Sequence, residues 1–308
     1  MAQIKIACIG ECMVELSALA FDAGRARLGV AGDTLNTAVY LRRSLPEDTG
    51  QVSYVTALGD DPISHQMVDI IAAHGIETGL IARCAGALPG IYAIDLTPQG
   101  ERSFHYWRSA SAARSMFGDG GIALSRLTDF GVIYLSGISL AILPAADRDA
   151  LIAQLAAHKA QGGQVVFDSN YRPRLWPDIA TAQAAMAAIW RVCTCALPSA
   201  DDEAALWGDA DDAAIIARIA AAGVPEIALK RGARGPILWC DGRLIENSYP
   251  AAKTLRDTTA AGDAFNGAYL AARLAGHDPE VAARRGHDLA CHVIGQPGAI
   301  VDLPPRPA

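Results

Sequence analysis

No apolar run in this 308-residue chain reaches the roughly 18 residues a membrane-spanning helix requires, which argues against a spanning segment. Polar low-complexity tracts are missing as well, so a disordered chain is disfavoured. Positive charge is scarce: 26 Lys and Arg against 33 Asp and Glu leave a formal net charge of −7. That balance suits no general nucleic-acid surface, although it leaves room for a small anion where cations are gathered locally. A Walker A loop, G-x-x-x-x-G-K-[ST], does not occur, and "GECMVELS" (10–17) lacks the second and third glycines of a dinucleotide fingerprint. The seven cysteines are an odd, scattered set. Their one close pair, Cys193 and Cys195, is expected on one face of a strand, too few partners for a metal or redox site. They read as reduced, buried thiols of a cytoplasmic protein. The first residues, "MAQIKIACIGECMVEL", read as a strand rather than a signal peptide.

What remains is 51% apolar and 19% charged residues, the composition of an α/β protein with a sizeable core. β-type runs at 4–10, 52–59, 131–137, 164–170, 191–199 and 226–232 alternate with helical patterns such as 35–45 and 63–75. Gly75 supplies a helix stop. Repeated βα units of this size predict a mostly parallel, doubly wound sheet flanked by helices. Two segments break the rhythm, 14–32 and 85–110. The second reads as a hairpin turning at Pro98-Gln99-Gly100. The predicted organisation is therefore an α/β core of 1–13, 33–84 and 111–308, with a small β-sheet lid of 14–32 and 85–110.

Five stretches concentrate polar residues where ligands bind. In "DTTAAGDAFNGAYL" (257–270), Asp257 and the threonines cap a turn, and a helix is expected near Ala261 or Gly262. Small residues there open the backbone N–H groups to an anion that the helix dipole favours. Asp263 in that first turn serves either as a helix-stabilising charge or as the acceptor of a proton from an attacking hydroxyl. In "VAGDTLNTAVYL" (30–41), Gly32 permits a tight turn. Asp33 or Thr34 can cap the next helix, yet capping leaves one of Asp33 and Asn36 over, and the pair can hold vicinal hydroxyls. On the return strand of the hairpin, Phe104, Tyr106 and Arg108 share a face, which Tyr92 can join; that face is suited to a carboxylate or a sugar ring. "FDSNYRPRLW" (167–176) places Asp168, Asn170 and Arg172 beyond a strand's carboxyl end, where open sheets bind ligands. "ALKRGARGPIL" (228–238) carries Lys230, Gly232 and Gly235 in a loop that can lie along a nucleotide.

Taken together these stretches resemble the ribokinase-like (PfkB) carbohydrate kinases over essentially the whole chain, the first of them closely matching the family's D-T-x-G-A-G-D-x-F signature. Through "IGECMVELS", "AGDTLNTAVYLRR", "FHYWRSASAAR" and "DSNYRPRLW", the resemblance is to the family's 2-keto-3-deoxygluconate kinase branch. The resemblance implies the ribokinase-like fold with a β-lid and ATP-dependent phosphorylation of a sugar hydroxyl. Carried over by position, Asp263 is the base and the backbone of Ala260, Ala261, Gly262 and Asp263 the anion hole. Gly32, Asp33 and Asn36 hold sugar hydroxyls, and Tyr92, Tyr106, Arg108 and Arg172 contact the acid end and the chain. Asn170, Ser199, Lys230, Gly232, Gly235, Ala290 and Val293 fall on the nucleotide side. ATP and Mg²⁺ are implied, with a monovalent cation a further candidate; the metal ligands stay open.

Two departures bear on this. Ala260 stands where the broad family has Gly, tolerable if its φ stays ordinary. Ser199 stands in place of a family Asn linked to magnesium, leaving Asp202 or Glu203 to organise metal-bound water. The expected chemistry has an ionised Asp263 at the helix terminus, and Arg108 and Arg172 supplying the positive charge that favours a sugar acid. The expected partners are that sugar acid and ATP, without nucleic acid or membrane, in a homo-oligomer. A neutral-sugar kinase of fructokinase or ribokinase type, and a non-catalytic sugar-binding regulator, are the alternatives.

Overall fold

A computed structural model describes residues 3–96 and 102–303. In chain order the strands are β1 (Ile4–Ile9), β2 (Met13–Ala20), β3 (Arg25–Ala31), β4 (Gly50–Gly59), β5 (Glu77–Cys84), β6 (Gly90–Leu96), β7 (Arg102–Trp107), β8 (Val132–Ser136), β9 (Gln164–Asp168), β10 (Cys195–Ala196), β11 (Glu226–Leu229), β12 (Ile237–Cys240) and β13 (Arg243–Glu246). The helices are α1 (Asp33–Ser44), α2 (Pro62–Ala73), α3 (Gly137–Ile142), α4 (Ala145–Ala160), α5 (Ile179–Val192), α6 (Ala200–Trp207), α7 (Asp212–Ala221), α8 (Ala261–Leu274) and α9 (Pro279–Val293).

Nine strands form the main sheet in the order β13-β12-β11-β10-β9-β8-β1-β4-β5. It is parallel from β5 to β11, with an antiparallel edge at β12 and β13. Its central strands are apolar along nearly their whole length because helices cover both faces. Along β1, Ala7 and Ile9 join a core cluster with α4, α5 and α7, while Ile6 and Cys8 join one with α1, α2, α8 and α9. The chain therefore winds to both sides of β1. The crevice beyond the carboxyl ends of β1 and β8, where the strand order changes direction, is where a ligand is expected.

A second, four-stranded sheet has the order β3-β2-β6-β7. Its β6–β7 pair is the expected antiparallel hairpin, with Tyr92 opposite Tyr106. The turn assigned to Pro98-Gln99-Gly100 lies outside the described residues.

The run 191–199 differs from expectation. Helix α5 continues to Val192 and the strand is only Cys195–Ala196. Cys193 caps the helix end instead of alternating in a strand, so it packs into one core cluster and Cys195 into the other.

Helices α1 and α8 lie so close that a Cβ on Gly267 would come within 2.7 Å of Tyr40 Cβ and of the Leu41 backbone nitrogen. Only glycine allows that approach, and it brings the first turns of the two helices together.

Candidate active site

One cavity of ≈ 290 Å³ opens between the first turns of α1 and α8, the ends of β8 and β9, and the small sheet. Gly32 leads into α1 against the backbone of the β1–β2 connection; a Cβ there would strike the Glu11 carbonyl oxygen at 2.1 Å. Gly32, rather than Asp33 or Thr34, is the N-cap, and no side chain caps the helix. Asp33 is thereby free to face the cavity. Its Oδ2 accepts from Ser136 Oγ at 2.5 Å and from Asn170 Nδ2 at 2.8 Å. Asn170 stands on the Asp33 wall, at a left-handed φ of 29°. One turn into α1, Asn36 donates Nδ2 to Asp263 Oδ2 at 2.9 Å.

The turn before α8 is organised by Asp257, whose Oδ1 accepts from the Thr259 N–H at 2.9 Å and whose Oδ2 accepts from the Gly298 N–H at 2.7 Å. Ala260 is the N-cap and adopts φ 60°, ψ 14°, with no side-chain cap on the helix. The ordinary φ expected of Ala260 is thus corrected: it sits in the left-handed region, at a cost of roughly 1 kcal/mol or more for a residue with a Cβ. The local reward is an uncapped helix N-terminus facing the cavity, the arrangement that binds phosphates.

Asp263 differs from expectation in its protonation. Burial, then the Asp33 charge, push its carboxyl up to about 8, against the lowering effect of the Asn36 hydrogen bond. Desolvation of the charged form outweighs the help of the helix terminus. With these neighbours Asp263 is held largely protonated at neutral pH.

Lys230 extends from the end of β11 past Gly262; a Cβ on Gly262 would lie 3.7 Å from its Nζ. The ammonium donates to Asp168 Oδ2 at 2.7 Å and to Asn266 Oδ1 at 3.0 Å. Asn266 completes the bracket by donating to the same Asp168 oxygen at 2.6 Å.

The small sheet contributes Tyr92, Phe104, Tyr106 and Arg108 to the cavity. Tyr106 stacks on Phe104 at 6.3 Å between centroids and faces Tyr92 at 5.8 Å. The Tyr92 hydroxyl donates to Glu15. The two arginines do not stand as bare positive charges. Arg108 is ion-paired with the buried Glu11, and Arg172 with Asp202 at 3.0 Å. Of the two acids considered near Ser199, Asp202 lines the cavity, whereas Glu203 is buried against Arg218 at 2.7 Å. Ser199 lines the cavity as the N-cap of α6.

Gly232, Gly235, Ala290 and Val293 do not line this cavity. The space beside Gly232 is open, with no atom within 4 Å of an added Cβ, while Gly235 lies under the Tyr249 ring. Val293 is fully buried with Tyr40 and Ala264, and Ala290 packs partly buried against the α8–α9 core. A second cavity of ≈ 660 Å³ runs along the other flank of α9, between Lys253, Cys291 and His292. Sequence reasoning passed over Glu11, Ser136 and Asn266. The signal for the first two was a polar residue at the end of a buried strand; Asn266 carried none, since it sits inside an apolar helix face.

Residues 3–306 match the sequence profile of the pfkB family carbohydrate kinases. The chain belongs to that family. Among pfkB relatives it is 43% identical to the 2-dehydro-3-deoxygluconokinase of Dickeya dadantii (98% of each chain covered). It is equally 43% identical to that of Escherichia coli K12 (99% of each). A fructokinase of Vibrio alginolyticus is 27% identical over 78% of this chain and 75% of its own. Solved pfkB-type folds superpose closely. A putative ribokinase II of E. coli in complex with ATP and Mg²⁺ gives a TM-score of 0.82 at 21% identity, covering 96% of this chain and 94% of that one. The 2-dehydro-3-deoxygluconokinase of Thermotoga maritima gives 0.82 at 22% identity, covering 98% and 95%.

Proposed function

We propose that this pfkB chain transfers the γ-phosphoryl group of ATP to the terminal (C6) hydroxyl of 2-keto-3-deoxygluconate, also called 2-dehydro-3-deoxygluconate, giving 2-keto-3-deoxy-6-phosphogluconate. The reading is carried by one juxtaposition: Asp263 faces Asn36 and Asp33 at the mouth of an uncapped helix, beneath an aromatic and arginine wall. The 41–43% identity to 2-dehydro-3-deoxygluconokinases over nearly the full chain supports the same substrate.

Asp33 and Asn36 hold sugar hydroxyls, and Asp263, once ionised, orients the terminal hydroxyl and accepts its proton. A base raised towards the working pH is a stronger acceptor than an ordinary carboxylate. The α8 N-terminus and Lys230 stabilise the migrating phosphoryl group. Arg108, Arg172, Tyr92 and Tyr106 receive the acid end and chain of the sugar under the small sheet, which acts as the lid. The open approach at Gly232 suits the nucleotide backbone.

The donor set fits Mg²⁺. Asp168 and Asp202 line the cavity, and no group of three metal-ligating side chains converges among the described residues. A cation that keeps its waters and leans on phosphate oxygens needs only one or two carboxylates. When bound, Mg²⁺ neutralises phosphate charge. Activity with and without K⁺ tests the monovalent cation. Seven unpaired cysteines support a cytoplasmic setting. Exposed Leu28 and Trp107 on the small sheet support self-association.

The deciding experiment is an ADP-release screen over 2-keto-3-deoxygluconate, fructose and ribose. Turnover of the acid sugar alone is expected. Preference for a neutral sugar, together with indifference to Arg108→Ala, overturns the acid-sugar reading. Binding without turnover of any sugar points instead to a regulator.

A further inference from the structure

Glu11 follows β1 and is almost completely buried, with 1% of its side chain exposed. A buried carboxylate so placed needs a reason. One of its oxygens pairs with the Arg108 guanidinium, and the other, Oε1, has no hydrogen-bond partner. Room for it is made by Gly90 at the start of β6, where a Cβ would come within 2.7 Å of Oε1. Arg108 follows β7, and its side chain is only 10% exposed. Its Nε is likewise buried without a partner, its guanidinium lies 5.8 Å from the Tyr106 ring centroid, and it lines the cavity. The pair thus spans the seam between the two sheets, where an arginine that follows the small sheet is held by a carboxylate on the β1–β2 connection between the two.

We propose that Glu11 is a positioning residue for acid-sugar recognition, fixing the Arg108 guanidinium at the seam so that the sugar's carboxylate meets donors already oriented. This rests on the acid-sugar reading above and names the group that sets up the recognising arginine. A free arginine loses rotamer freedom when it grips a carboxylate, and holding it beforehand removes that loss from binding. Glu11 also cancels part of Arg108's charge, which acts in the opposite direction. Burial decides between the two. An arginine this enclosed does not keep one pose without a partner, so the orienting effect prevails and removal of Glu11 weakens acid-sugar binding.

The test is steady-state kinetics with 2-keto-3-deoxygluconate and ATP on the wild type, Glu11→Ala, Glu11→Gln, Arg108→Ala and the Glu11→Ala/Arg108→Ala double variant. Glu11→Ala is expected to raise the sugar KM about tenfold, with kcat and the ATP KM within twofold. Glu11→Gln, which keeps an acceptor, should fall between it and the wild type. In the Arg108→Ala background, Glu11→Ala should add nothing further, because its effect runs through that arginine. The role is overturned if the sugar KM is unchanged or falls in Glu11→Gln, or if the two losses simply add. Should Glu11→Ala fail to fold, Glu11→Gln against Arg108→Ala still decides. A wild type that does not turn over the acid sugar defeats the underlying reading and this role with it; a wild type that does, beside unmoved variants, defeats only the role of Glu11.

Discussion

Asn36 and Asp263 lie 227 positions apart in sequence, yet the Asn36 amide donates to the Asp263 carboxylate at 2.9 Å across the first turns of α1 and α8. That bond favours the charged form of a carboxyl which burial and Asp33 otherwise push up to about 8. The acid limb of kcat/KM, which reports the free enzyme, should accordingly fall near pH 8. Asn36→Leu removes the donor and should move the limb to higher pH, a shift read from pH–rate profiles of the two proteins.

Asp263→Asn should lower kcat by about 10²–10⁴, with ATP affinity little changed in equilibrium titration. If the variant kept a tenth of wild-type turnover, Asp263 would not be the proton acceptor.

The same substitution carries a stability signature. The folded carboxyl is raised above its unfolded value of about 4, so the fold favours the protonated form. Stability is complete below about pH 4 and declines as pH rises towards 8, where ionising this half-buried group works against the fold. Asp263→Asn cannot ionise. Its Tm should match the wild type near pH 4 and exceed it increasingly up to pH 8, as followed by thermal melts across that range.

Ala260 holds a left-handed φ of 60°. Ala260→Gly relieves the Cβ clash at some gain in unfolded-chain entropy and should stabilise the protein by about 0.5–1 kcal/mol. Denaturant melts should show it, with kcat within twofold.

Gly267→Ala should do the reverse. Its Cβ would meet α1 at 2.7 Å, an overpacking that costs about 1–3 kcal/mol. Because it spreads the helices that carry Asn36 and Asp263, kcat should fall along with Tm.

Much of this was legible in the sequence, because local signals were strong. Apolar β-runs separated by helical patterns fixed the doubly wound sheet, and the small residues before Asp263 marked a helix mouth. The alternation of Phe104, Tyr106 and Arg108 correctly put them on one cavity wall. Illegible were the effects that depend on what meets in space. Nothing local says that Glu11 and Asp202 would claim the two arginines, or that enclosure would override the helix dipole at Asp263. Cys193 failed for a simpler reason: an alanine-rich helix ran two residues into what read as a strand.

The two sheets supply different parts of the site. Asp263, Asn36 and Asp33 are mounted on helices of the main sheet, while Tyr92, Tyr106 and Arg108 belong to the small one or follow its last strand. On the proposed reading, phosphoryl transfer is mounted on the main sheet, while sugar choice is shared between Asp33, Asn36 and Arg172 on that side and Tyr92, Tyr106 and Arg108 on the other. An exchange of the small sheet between relatives would retune which sugar is accepted while leaving the phosphoryl-transfer machinery in place, provided that the Glu11 contact at the seam travels with it.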